Sequence, residues 1–219
     1  MLYHGSAEVI TKPLLNKGKL NNDYGQGFYC TESIELAREW ACTKINDGHV
    51  NKYSLDTSNL SILHLSKYNI LNWITLLLKN RSFVISNQLA KQAKEYLINN
   101  FSIDTSTIDV IIGYRADDSY FSFAEDFINN TISLKQLSKA MYLGKLGEQV
   151  ALMSDKSINT LQFIESNTVS HQEYYQKRQI RDLKARQEYA NKDNTNTIND
   201  LFILDILRKK IKNNDTRLQ

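Results

Sequence analysis

Proline is almost missing from this chain: Pro13 is the only one in 219 residues, and only eight glycines accompany it. Few positions can then serve as linkers, so the elements should be long and their connections short. Two cysteines, Cys30 and Cys42, give no disulfide framework and fit free thiols in a reducing cytosol. His4, His49, His64 and His171 lack metal-ligand spacing, with or without the cysteines, so no metal is expected. No apolar run approaches the roughly eighteen residues that a membrane-crossing helix needs, and no membrane association is expected. Met1-Leu2-Tyr3-His4-Gly5 lacks the basic segment followed by an apolar one that marks a cleaved signal. The expected location is therefore cytoplasmic. Neither GxGxxG opening a helix nor GxxxxGK[ST] occurs, which excludes a Rossmann or P-loop nucleotide site.

What is present is enough for a folded core: 42% hydrophobic and 23% charged residues, both ordinary for a globular protein. The abundance of Asn, Lys and Ile points to an AT-rich bacterial genome. The net charge of +3 is unevenly placed, because residues 165–219 carry eleven Lys and Arg against eight Asp and Glu and the remainder is balanced. Such a tail is either a solvated helical face or a surface turned to nucleic acid.

Residues 1–5 read as a short strand, and residues 23–31, DYGQGFYCT, as a glycine-rich turn running into a second. A helix over 33–45 is capped by Ser33 and turns Ile34, Ala37, Trp40, Ala41 and Ile45 to one face. Strands follow at 50–55 and 60–65, helices near 70–83 and 88–99, and a buried strand at 110–112. Helices near 120–128 and 133–143 lead to a strand at 149–153, a turn at 155–159 and a last short strand at 161–164. From Val169 the pattern is helical to about Tyr189, with Tyr174, Ile180, Leu183 and Tyr189 facing the core, and again over 198–211. The strands are short and the helices do not alternate with them regularly, so the fold class is α+β and not doubly wound. Residues 1–165 form the domain and 166–219 a helical C-terminal extension.

Three segments stand out: Leu2-Tyr3-His4-Gly5-Ser6, Gly25-Gln26-Gly27-Phe28-Tyr29, and the helix carrying Trp40, eleven positions after Tyr29. Singly, each has an ordinary reading as a hydrogen-bonded strand histidine, a tight turn and a core tryptophan. Their order and spacing resemble the signature of the ADP-ribosyltransferases of the diphtheria-toxin and poly(ADP-ribose) polymerase type. The resemblance implies a split-sheet core with inserted helices, and NAD as co-substrate. It also implies roles: Tyr29 and Trp40 as two aromatic faces around the flat, cationic nicotinamide, Gly5 pairing its backbone with the carboxamide, and His4 bonding a ribose hydroxyl. Ser6 would support that strand, and Gly25 and Gly27 would let the backbone approach the cofactor.

The family places a Glu at the head of a late strand, where its charge stabilises an oxocarbenium-like ribosyl cation. In Gly147-Glu148-Gln149-Val150-Ala151-Leu152 the position falls on Gln149, with Glu148 on the opposite face. A Gln accepts a ribose hydroxyl but carries no charge, so activity should rise or at least persist in Gln149→Glu and fall in Gln149→Ala. The charge has to come from elsewhere, and Arg115-Ala116-Asp117-Asp118 after the 110–112 strand can bring Asp117 or Asp118 to the cleft and Arg115 to the diphosphate. Alternatively Asp118 caps the next helix and Arg115 pairs with an Asp. The same motifs resemble an uncharacterised bacterial family of unknown function found at toxin–antitoxin loci. Three functions remain open: a mono-ADP-ribosyltransferase acting on a cytosolic protein or nucleic acid and restrained by a cognate antitoxin, an NAD glycohydrolase, and a catalytically weak module that binds NAD or ADP-ribose.

Overall fold

Leu2, Phe28, Cys30, Tyr53, Val110, Val150 and Leu152 are scattered along the sequence at alternating positions, and a single sheet gathers them into one buried layer. The structure is a computed structural model that describes residues 1–85, 87–116, 118–143, 147–191, 197 and 199–218, with backbone only at 118–120. Seven strands, β1 (Leu2–Ser6), β2 (Phe28–Thr31), β3 (Gly48–Leu55), β4 (Ile62–His64), β5 (Val110–Tyr114), β6 (Glu148–Leu152) and β7 (Leu161–Val169), lie in the order β4-β5-β6-β2-β1-β3-β7. Only β4 and β5 are parallel; the chain crosses between them through α2 (Ile70–Asn80) and α3 (Gln88–Phe101). The fold is α+β with a mixed sheet.

The sheet is loosely joined at its middle. β1 pairs with β3 over five register positions and β2 with β6 over four, whereas β1 and β2 meet at one, Tyr3 opposite Thr31. Beyond that pair the two halves splay.

Helix α2 is apolar on every side, and eight successive residues from Leu71 to Leu78 are buried. Its buried polar residues donate within the core: Asn72 Nδ2 to the Phe101 carbonyl at 2.8 Å and Thr75 Oγ1 to the Leu71 carbonyl at 2.7 Å. Helices α4 (Asp118–Ile128) and α5 (Leu134–Ala140) pack beside it, with Phe123, Phe127 and Leu137 in the same core. The C-terminal segment closes this core. Ile203 and Ile206 of α8 (Ile203–Arg208), and Ile211 beyond it, are fully buried there, and the Tyr189 ring of α7 (His171–Ala190) stacks on Phe123 at 3.9 Å.

On the opposite half, α1 (Ile34–Ala41) lies directly on β1 and β3. Ser33 caps it by accepting from the Leu36 N–H. The helix ends at Ala41, four residues before the expected stop, and Ile45 is 75% exposed. The reason is steric: Gly48 at the start of β3 sits against the Ala41 carbonyl, so the chain has to turn at once. Other expectations shift for similar reasons. Residues 155–159 form a short helix, α6 (Asp155–Asn159), capped by Ser154. β7 runs on to Val169 as an edge strand whose polar residues hide it from any hydrophobic pattern, and it includes the position 165 where the domain was expected to end. Along α7 Tyr174 and Tyr189 pack on the core as expected and Ala185 is buried with them, while Ile180 and Leu183, expected on the same stripe, stay about half exposed.

A methyl group at Gly48 would collide with the Ala41 backbone and side chain. Gly48→Ala is expected to destabilise the fold by about 2–3 kcal/mol, against less than about 0.5 kcal/mol for Ile45→Ala at its exposed site. Urea midpoints of the two variants check this, and equal midpoints would contradict the packing of α1 on β3.

Candidate functional site

Where β1 and β2 part, a cleft of about 810 Å³ opens, roofed by the loop that joins them. A volume of this size suits a sizeable small-molecule ligand. His4, Gly5, Gly27, Tyr29, Arg115 and Gln149 line it together, having been assembled from four separate stretches of sequence.

Tyr29 is fixed by its own turn. Its hydroxyl donates to the Gly25 carbonyl at 2.7 Å and accepts from the Tyr24 N–H at 3.0 Å. Gly25 closes that loop with φ +94°, a conformation that glycine takes without strain. Burial pushes the Tyr29 phenol well above its ordinary range, so the ring is neutral and stacks at 6.3 Å on Tyr24. Gly27 has a different constraint: a Cβ there would press on the Leu152 carbonyl and Met153.

Gln149 is held from behind. Its Nε2 donates to Asp23 Oδ2 at 2.8 Å and to the Tyr114 carbonyl at 3.1 Å. Both partners can only accept, so the amide nitrogen must occupy this side and Oε1 is the atom left over. Asp23 is itself buried and fully engaged, accepting also from the Ala116 N–H at 2.8 Å and from Arg81 at 2.9 Å. Arg81 reaches the Ala116 carbonyl as well. The Tyr114 carbonyl collects two further donors, the Tyr24 hydroxyl at 2.5 Å and Trp73 Nε1 at 3.1 Å.

His4 follows the same logic. Its Nδ1 lies 2.7 Å from the Tyr29 carbonyl, which only accepts, so Nδ1 carries the proton and Nε2 keeps its lone pair. Burial lowers its pKa below the ordinary 6.5 against the opposing effect of that bond, and the charge of Arg115 adds to the lowering. The imidazole is neutral at pH 7 and rests on Phe28 with ring centroids 4.4 Å apart. The cleft therefore carries two neutral acceptors, His4 Nε2 and Gln149 Oε1.

Two of the expected residues, Trp40 and Ser6, have other surroundings. Trp40 does not line the cleft; the Arg115 guanidinium lies over its ring, 2.9 Å from the centroid. Ser6 ties down the start of the roof loop, donating to the Glu8 carbonyl at 2.6 Å and accepting from Asn51 Nδ2 at 2.9 Å. Asp117 lies outside the described residues, as does the side chain of Asp118. Cys30 is buried in the core with its thiol pKa pushed up. Among the described residues no three His, Cys, Asp or Glu side chains gather as a metal site, and no helix is long and apolar enough to cross a membrane.

Asp23, Arg81 and Asn51 escaped the sequence reading. Asp23 stood at the head of the glycine segment, but its partners Arg81 and Gln149 lie 58 and 126 residues away, and no local pattern announces them. Arg81 falls inside the helix expected over 70–83, and nothing in its neighbourhood marks it. Charge of one sign dominates the cleft wall: Lys12, Lys17, Lys19, Arg81, Arg115 and Arg178 against Glu8 and Asp23. Such a wall concentrates an anionic ligand.

The His4 tautomer is directly testable. As pH falls, Nε2 gains a proton and changes from acceptor to donor, so any ligand hydroxyl it accepts is lost below the lowered pKa. The unfolded chain takes up its proton first, near 6.5, so this residue also subtracts stability as pH drops below that value. Imidazole ¹⁵N shifts should show an Nδ1-protonated neutral ring with a midpoint below 6.5. A proton on Nε2, or a midpoint at or above that value, would contradict the arrangement.

Residues 1–163 match the family described as a protein of unknown function, DUF3990. Comparison with curated proteins and with solved structures gives no match. The matched span covers both halves of the splayed sheet and every cleft residue except Arg178 of α7: the chain belongs to the DUF3990 family.

Proposed function

We propose that this protein is an NAD-dependent mono-ADP-ribosyltransferase that modifies a macromolecular acceptor. The observation that carries the reading is that His4 and Gln149 line one cleft from the two sides of the splay, each with a ring or amide N–H spent on a protein acceptor and so each left with one neutral acceptor atom. A ribose presents hydroxyl donors to such a pair. Tyr29 supplies an aromatic face beside them, and the cationic wall, which includes Arg115, suits the diphosphate of a dinucleotide. The resemblance to a family found at toxin–antitoxin loci extends the reading to a toxin restrained by a cognate antitoxin.

A second reading has its own observation. The Arg115 guanidinium occupies the Trp40 face that would take nicotinamide. ADP-ribose has no nicotinamide and needs no such slot, so a module that binds ADP-ribose would use the cleft as it stands.

Incubation with NAD⁺ labelled in the adenylate half, alone and with a cell lysate, separates these. Label transferred to protein or nucleic acid supports the transferase, and free labelled ADP-ribose supports the glycohydrolase. Binding of ADP-ribose without turnover supports the module. His4→Ala should lower turnover by about 10²–10³. Absence of both NAD⁺ and ADP-ribose binding overturns the reading.

A further inference from the structure

The position that the motif resemblance assigns to a catalytic Glu is filled here by a Gln whose surroundings are built for an amide. Nε2 of Gln149 faces the Asp23 carboxylate at 2.8 Å and the Tyr114 carbonyl at 3.1 Å, and the residue is 2% exposed. An amide NH₂ satisfies both acceptors at once. A carboxylate in its place offers no donor to either and sets two negative charges in contact.

We propose that Asp23 is the positioning residue of this cleft: with the Tyr114 carbonyl it locks the Gln149 amide so that Oε1 is presented to the ligand, and position 149 works as a Gln. The inference rests on the reading of the cleft as the ligand site, which it deepens by naming the ligand chemistry at that atom, a hydroxyl or N–H donor. Arg81 and the Ala116 N–H hold Asp23 in place, and the buried Asp23 carboxylate cannot turn away without leaving them. Negative charge thus stands on the Nε2 side of the amide, within the same cleft wall, and polarises Oε1.

The consequence reverses the simplest expectation from the motif. Gln149→Glu does not restore a lost catalytic charge; it creates a buried pair of carboxyl groups that share one proton. The other charged and titratable groups about this position are Tyr24, Tyr29, His4, Arg81 and Arg115. The two phenols are neutral with raised pKa values and His4 is neutral. Arg81 is engaged by Asp23, and Arg115 lies over Trp40. Asp23 is the nearest charge, so the new Glu holds its proton above the usual carboxylate range. A raised carboxyl pKa in the folded state removes stability as pH rises through the interval between the unfolded and folded values.

Carboxyl ¹³C titration of Gln149→Glu, read without any ligand, should show a pKa clearly above the ordinary ~4.3, and adding Asp23→Asn should bring it back down. With NAD⁺ as probe, Gln149→Glu should bind about tenfold more weakly than wild type at pH 8, with the gap narrowing at pH 5.5, where the protonated side chain again offers a donor to Asp23. In the wild-type protein both Gln149 side-chain amide protons should be slow to exchange, a measurement that stands even if the variants fold poorly. An ordinary carboxyl pKa with NAD⁺ binding and turnover above wild type at pH 8, or rapidly exchanging amide protons, overturns the proposal. Failure of the wild type to bind NAD⁺ overturns the functional reading instead, while the titration and exchange results still decide the role of Asp23.

Discussion

One backbone oxygen, the carbonyl of Tyr114, joins the parts on which the cleft depends. It ends β5, next to the sheet edge, and accepts from Tyr24 of the glycine turn, Trp73 of the buried helix and Gln149 of the neighbouring strand. A carbonyl has two lone pairs, so three donors share it, and each is held near the limit of its freedom. The turn, α2 and β6 cannot shift independently while that oxygen is shared. Asp23 extends the same cluster to Arg81 at the end of α2 and to the Ala116 N–H beyond β5. A buried carboxylate is costly unless every lone pair finds a donor, and here the donors come from three distant segments. The cluster therefore depends on the assembled fold and helps to maintain it.

The second constraint is the single pairing between β1 and β2. A sheet continuous at that point would leave His4 and Tyr29 on opposite faces, because neighbouring residues alternate. His4 indeed rests on Phe28 in one core layer, while Tyr29 packs against the other. The splay beyond Tyr3 and Thr31 lets both layers contribute to one cavity. Chemistry at the cleft then follows from backward-facing bonds. His4 and Gln149 each spend their donors on acceptors behind them, which leaves acceptors in front.

Much of the fold was legible as element type. The helix at the position of α2, the Ser33 cap and most strand positions read correctly from composition and period, because those signals are local. Boundaries were less legible where steric contact sets them. α1 stops at Ala41 because Gly48 arrives there from the next element, and β7 extends because backbone pairing with β3 does not require apolar side chains. At the site, the motif residues His4, Gly5, Gly27, Tyr29 and Gln149 and the adjacent Arg115 come together in one cleft, whereas Trp40 carries Arg115 on its face and Ser6 serves the roof loop.

By itself the sequence determined the class of the fold, the glycine that closes the Tyr29 turn, and the Gln at the head of a late strand, since each is a matter of residue type and near-neighbour spacing. Only the tertiary structure decided what that Gln means. Asp23, Tyr114 and Gln149 are joined across as many as 126 residues, and the orientation of a buried amide is set by which of its neighbours can accept a proton. That information is absent from any single stretch of chain and exists once the strands are in place.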